Sequence, residues 1–228
     1  MHHEEDYQEK NNTRTILPEV IVLGLIAMLF AYGCQYKASN DEGREAHGEE
    51  KAAASFAEAP KGSLDSAGNF IYDEGSLTAL VLGKDTLNVG QNSTEFKLYS
   101  FLSDSHAELD TTNGNWFDFT NVRFNTGSST ITDSSFKQLN NLAAIIKYFP
   151  KAQFKIGGYT DNTGDSAANV KLSQVRADAV FGAIQKLGVS AAQLTGAKGY
   201  GPEHPVGDNE TAEGKAINRR VSVNVKAK

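Results

Sequence analysis

The sequence predicts an α/β fold: a small mixed β-sheet with helices packed on one face, preceded by a small β-rich appendage. Three observations carry this. Over the last 112 residues, strand-like and helix-like patterns alternate, the mark of helices laid on a sheet. Between Asp133 and Phe149, the side chains Phe136, Leu139, Ala143 and Ile146 recur at helical spacing. Near the C-terminus Val221, Val223 and Val225 alternate with polar residues, as along a half-buried strand.

The elements follow in chain order. Val20 to Phe30 is an unbroken apolar run of eleven residues, too short to cross a bilayer as a helix, which takes about 20. A run of that length suits the core of a signal peptide, and Lys10 and Arg14 before it hold that end in the cytoplasm. Cys34, the single cysteine, follows behind Gly33 and resembles the lipidated cysteine of a bacterial lipobox, although Ala31 and Tyr32 depart from that pattern. Three readings of residues 1–34 stay open: a cleaved signal with Cys34 lipidated, an uncleaved membrane anchor, or a plain buried cysteine. Residues 35–62 are almost without large apolar side chains and read as a flexible acidic tether.

Residues 63–116 read as the appendage. Phe70–Tyr72, Leu77–Leu82 and Thr86–Val89 are strand candidates, with Gly83-Lys84-Asp85 as a hairpin turn. Ser93 caps a helix carrying Phe96, Tyr99 and Leu102. This piece is too short for a large core of its own; it packs against the main domain or offers a face to an envelope protein partner.

Residues 117–228 form the main domain. Asn121–Phe124 is a short strand, and Asp133–Phe149 a helix stopped by Pro150. Ala152–Tyr159 is a strand, Asp165–Leu187 a long helix closed by Gly188, and Leu194–Tyr200 a third strand. Thr211–Ala216 is a short helix, and Ile217–Lys226 the last strand. The glycines at 157, 158, 196, 199 and 201 are read as close packing of strands against their neighbours, since none opens a phosphate-binding turn.

Composition excludes several functions. The net charge of −6 argues against nucleic acid as a partner, and one cysteine with five scattered histidines makes neither a disulfide nor a metal site. Charge is uneven: residues 35–116 hold 6 basic and 14 acidic side chains, a balance of −8, while 117–228 hold 14 and 9, a balance of +5. No nucleophile elbow, phosphate loop or zinc helix motif is present, so the chain does not read as an enzyme, and no cofactor is implied.

The informative cluster begins at Gly158 with G-Y-T-D-N-T-G and continues in L-S-Q-V-R-A (Leu172 to Ala177). It ends in G-Y-G (Gly199 to Gly201) and T-A-E-G-K-A-I-N-R-R-V (Thr211 to Val221). Asp161 ends a strand and opens a turn. Arg176 lies at the edge of an apolar helical stripe, where a charge is costly unless paired or facing a cleft. Asn169 is two turns earlier on that helix. Arg219 shares parity with the three valines and is expected on their sheet face, with Arg220 pointing away. These residues either line one cleft, or Asp161 and Arg176 form a structural ion pair with no ligand.

The four motifs, in this order and spacing, resemble the OmpA-like peptidoglycan-binding family, over about Asn121 to Val225. The resemblance implies a βαβαβ sandwich that grips diaminopimelate of the peptidoglycan stem peptide. Asp161 would take the ammonium of that amino acid and Arg176 its carboxylate, with Thr163, Asn169 and Arg219 at accessory positions. Tyr159 stands where the family often has His, and Gly127 where a binding side chain often lies. The implied role is a lipid-anchored protein of the outer membrane, facing the periplasm, that ties the membrane to peptidoglycan. Its rival is a stator-like anchor held in the inner membrane.

Overall fold

The structure, a computed structural model, describes residues 60–125 and 127–228. The expectations for residues 1–34, including lipidation of Cys34, and for all but the end of the 35–62 tether lie outside the described residues. Among the described residues no helix is long and apolar enough to cross a membrane.

Two hairpins come first. β1 (Gly62–Leu64) pairs antiparallel with β2 (Phe70–Tyr72). The turn between them is organised by Asp65, whose Oδ1 accepts from the backbone of Ala67 and Asn69, both at 2.9 Å. β3 (Leu77–Leu82) and β4 (Asp85–Gly90) pair with Leu82 opposite Asp85, so the turn is Gly83-Lys84 alone. Gly83 sits at φ +67°, the left-handed conformation that such a tight turn needs at its first position. α1 (Thr94–Ser103) follows, its first turn capped by Ser93 Oγ accepting from Phe96 N at 3.2 Å.

The main sheet has four strands in the order β5-β8-β6-β7. β5 (Asn115–Asp118) is an edge strand, antiparallel to β8 (Val221–Ala227). β8 is also antiparallel to β6 (Gln153–Tyr159), and β6 runs parallel to β7 (Leu194–Gly201). A 3₁₀ turn at Asp133–Ser135 leads into α2 (Phe136–Tyr148). α3 (Ser166–Lys186) crosses between β6 and β7, and α4 (Ala212–Asn218) precedes β8. The α/β class and mixed sheet are as expected.

α3 reaches the sheet so closely because β6 and β7 carry glycine under it. A Cβ on Gly158 would land on the Ser173 carbonyl, and one on Gly199 on the backbone of Gln174. Of the glycines read as packing positions, Gly157, Gly158, Gly199 and Gly201 do pack closely, whereas nothing stands within 4 Å of the Cβ position of Gly196.

Leu80, Leu82 and Leu98 from the upstream segment share one core with Leu139, Phe154, Val180 and Val223. The expected boundary between residues 116 and 117 therefore falls inside a strand, β5, that belongs to the main sheet. Segment 63–116 places most of its large side chains in this core and leaves Leu77 and Val81 of β3 exposed.

Two local expectations need correction. Asn121–Phe124 is not a strand: only Phe124 makes an isolated bridge, to Ile131. The amides that a ladder would use are taken by side chains, Asn121 N donating to Gln138 Oε1 at 2.8 Å and Arg123 N to Ser135 Oγ at 2.9 Å. The last strand starts at Val221 rather than Ile217, because α4 continues through Asn218. Asn218 is fully buried there, its Oδ1 accepting from the backbone of Val206 and Gly207.

Candidate functional site

Asp161 stands just beyond the end of β6. Its carboxylate accepts from Thr163 N at 2.9 Å through Oδ1 and from Arg219 Nη1 at 2.8 Å through Oδ2. Burial by itself would raise its pKa, but the hydrogen bonds from Arg219 and Thr163 outweigh this and hold the carboxyl below its ordinary value. Thr163 is exposed, and Asn169 is half-buried at the start of α3. Asn169 Nδ2 donates to the Thr163 carbonyl at 2.9 Å and reaches the Asp161 carbonyl at 3.5 Å, so it fastens this loop to the helix.

Arg219 is not on the valine face of β8. It is the C-cap of α4, ahead of the strand, and parity counted back from the valines does not reach it. From the cap it bridges Asp161 and the Gly68 carbonyl, the latter at 2.7 Å. The structural ion pair considered between Asp161 and Arg176 is not formed; Arg219 takes that place.

Arg176 lies half-buried in the middle of α3, with Nε donating to the Ser128 carbonyl at 3.0 Å and its guanidinium 5.0 Å from the centre of the Phe124 ring. It forms no ion pair among the described residues. Burial lowers its pKa, and the charge of Arg219 adds to this while Asp161 opposes it. The two Nη groups make no hydrogen bond to another described residue.

Arg176 and Arg219 line a cleft of about 300 Å³, with Phe124 and Gly127 beside them. Asp161 adjoins this cleft through Arg219, whereas Thr163 and Asn169 support the Asp161 loop and do not line it. Gly127 has φ +65°, and nothing stands within 4 Å of where its Cβ would be, so its missing side chain widens the cleft. Tyr159 is away from it. That ring is buried, stacked on Tyr200 with centroids 5.0 Å apart, and covered by the Arg220 guanidinium at 3.8 Å.

Several lining residues, Arg123 and Tyr72 among them, are not singled out as site residues by the sequence reading. Arg123 donates to the Phe70 carbonyl at 3.2 Å. Arg220 also lies ahead of β8; it pairs with Asp118 at 3.1 Å while lining the cleft. Tyr72 enters from β2. No spacing in the sequence relates these three to Arg176.

The OmpA family model matches residues 123–219. Among curated proteins, the probable lipoprotein YiaD of Escherichia coli (strain K12) is 42% identical over 103 residues, 45% of this chain and 47% of that protein. The peptidoglycan-binding protein ArfA of Mycobacterium bovis is 35% identical over 102 residues, 45% of this chain and 31% of that protein. The peptidoglycan-associated lipoprotein of Burkholderia pseudomallei, a solved structure, is 34% identical with a TM-score of 0.43, covering 46% of this chain and 88% of that one. The chain thus spans less than half the length of the curated relatives it matches.

Proposed function

We propose that the chain, whose residues 123–219 match the OmpA family model, binds peptidoglycan non-covalently at the cleft beside Asp161 and Arg176. The observation that carries this is Arg176: a half-buried guanidinium whose one hydrogen bond goes to a carbonyl and which faces open space. Desolvating a cation is costly, and the cost is offset when an anion arrives in bidentate geometry. The side-chain end of diaminopimelate brings that carboxylate, with an ammonium on the same carbon. Arg176 takes the carboxylate through its two Nη groups. The ammonium goes to Asp161, on the lone pairs that Arg219 and Thr163 leave open.

Thr163, Asn169 and Arg219 act here by positioning Asp161 rather than by touching the ligand. The cleft suits the binding of a group that carries both charges: it presents arginines, with the Asp161 carboxylate beside them. On this reading the chain ties the outer membrane to the wall from the periplasmic side, with lipid on Cys34 as its membrane attachment. The apolar run before Cys34 and the lipoprotein name of the Escherichia coli relative support that part.

Sedimentation with purified diaminopimelate-containing sacculi tests the site. Asp161→Ala and Arg176→Ala each leave one member of a charge pair unpaired, which costs about 2 kcal/mol or more and weakens binding at least roughly 30-fold. Sacculi with lysine in place of diaminopimelate lack the carboxylate for Arg176 and bind poorly. Equal binding by the wild type and both folded variants overturns the reading.

A further inference from the structure

The cleft has a wall that the matched family region does not supply. Asn69, Phe70 and Tyr72 line it, and all belong to the β1–β2 hairpin, far upstream of residue 123. Two paired strands of three residues have no stability of their own, so contacts with the rest of the protein set their place. Those contacts are with the cleft's own arginines. Arg219 Nη2 donates to the Gly68 carbonyl at 2.7 Å, Arg123 Nη2 to the Phe70 carbonyl at 3.2 Å, and Arg123 lies 3.8 Å from the Asp65 carboxylate. Phe70, 7% exposed, closes the seam against Ala216 and Ile217 of α4 in a small cluster separate from the main core.

The hairpin borders the cleft without filling it. About 300 Å³ stays open beside it, and no hairpin atom hydrogen-bonds to Arg176. Tyr72 lines this space, its ring edge-on to Phe70 at 4.9 Å, and its hydroxyl makes no hydrogen bond among the described residues. Burial, with Asp118 adding to it, pushes the Tyr72 phenol up to about 12. It therefore stays protonated and able to donate. The hydroxyl oxygen can also accept from an ammonium, but the arginines that line the cleft favour an anion there, and the free proton suits a carboxylate.

Resting on the peptidoglycan reading above, the geometry points to the β1–β2 hairpin as a ligand-binding wall of the cleft, with Tyr72 donating its hydroxyl proton to the carboxylate that Arg176 holds. The site then consists of two parts of the chain, and the upstream segment is part of the receptor for the wall. A hairpin acting as a stopper would oppose binding, so the two roles differ in sign.

The test uses the full chain and titration with diaminopimelate-containing sacculi, with circular dichroism melts as the folding control. Tyr72→Phe keeps the ring and removes the hydroxyl; its affinity falls about tenfold, the usual effect of losing one hydrogen bond to a charged group. Phe70→Ala unseats the hairpin and weakens binding at least as much, while Phe70→Leu, which still fills the seam, restores it. Because Tyr72 and Arg176 hold the same carboxylate, Tyr72→Phe combined with Arg176→Ala loses less than the product of the two single effects. Wild-type affinity in Tyr72→Phe, independent effects in the double variant, or tighter binding by Phe70→Ala each overturns the inference. Where Arg176→Ala is impaired and these hairpin outcomes occur, the hairpin inference alone falls. Where Arg176→Ala binds like the wild type, the peptidoglycan reading falls and takes the inference with it.

Discussion

The carboxylate of Asp161 is bonded to Arg219 at 2.8 Å, not to Arg176. One cation of the site is thereby a fixture of the protein and the other stays open to an incoming anion. Arg219 is held from two sides, by Asp161 and by the Gly68 carbonyl, so it also connects the Asp161 loop to the β1–β2 hairpin.

The titration of Asp161 reports this bond. Arg219→Ala removes the main influence that lowers its pKa and leaves burial, which raises it, opposed only by Thr163. Followed by NMR in the ligand-free protein, the wild-type carboxyl titrates below the ordinary aspartate value, and the variant titrates higher. The wild-type carboxylate, having a depressed pKa, contributes stability that is complete above its unfolded value and is lost as the pH falls through its folded value. In Arg219→Ala that contribution shrinks and disappears at a higher pH. An Asp161 midpoint unchanged by the substitution would show that Arg219 does not hold it.

Two glycines of the α3 layer predict opposite effects of the same substitution. In Gly199→Ala the new methyl meets the backbone nitrogen of Gln174 and Ser173 Oγ, on a helix that cannot move back without opening the core. Overpacking of this kind costs about 1–3 kcal/mol. Gly182 lies inside α3 with nothing within 4 Å of its Cβ position. Gly182→Ala therefore stabilises by about 0.4–1 kcal/mol, chiefly by restricting the unfolded chain. Urea denaturation of the two variants checks both signs.

Much of the fold is legible where local chemistry decides. β2 and β3 occupy the stretches that their apolar patterns mark out, and Ser93 caps α1 as its position suggests. Asn121–Phe124 misleads because its apolar pattern is real but its amides are taken by Gln138 and Ser135, residues brought up by a different element. At the site, the motifs single out Asp161, Arg176 and Arg219 but not which arginine takes the carboxylate. Asp161 and Arg219 are 58 residues apart, and no periodicity relates them. Tyr72 and Arg123 are illegible for the same reason: the β1–β2 hairpin meets the cleft only through tertiary contacts, such as the bond from Arg219 to Gly68 across 151 residues.

Leu98 decides whether the upstream segment folds as part of the main domain. It lies on α1, is fully buried, and shares one apolar cluster with Leu139 of α2 and Phe154 of β6. The polar contacts across this junction point the same way: Gln138 of α2 donates to Glu95 of α1 at 2.8 Å. Leu98→Ala leaves a cavity that both parts of the chain line, at a cost of about 2–5 kcal/mol. Trp116, the single tryptophan, sits in β5 at the edge of the main sheet and reports unfolding there by fluorescence. Its transition shifts to lower urea in Leu98→Ala and coincides with the loss of helix by circular dichroism, as in one cooperative unit. A Trp116 transition that stays at the wild-type midpoint while part of the helix signal melts earlier would show that residues 63–116 fold apart from the sheet.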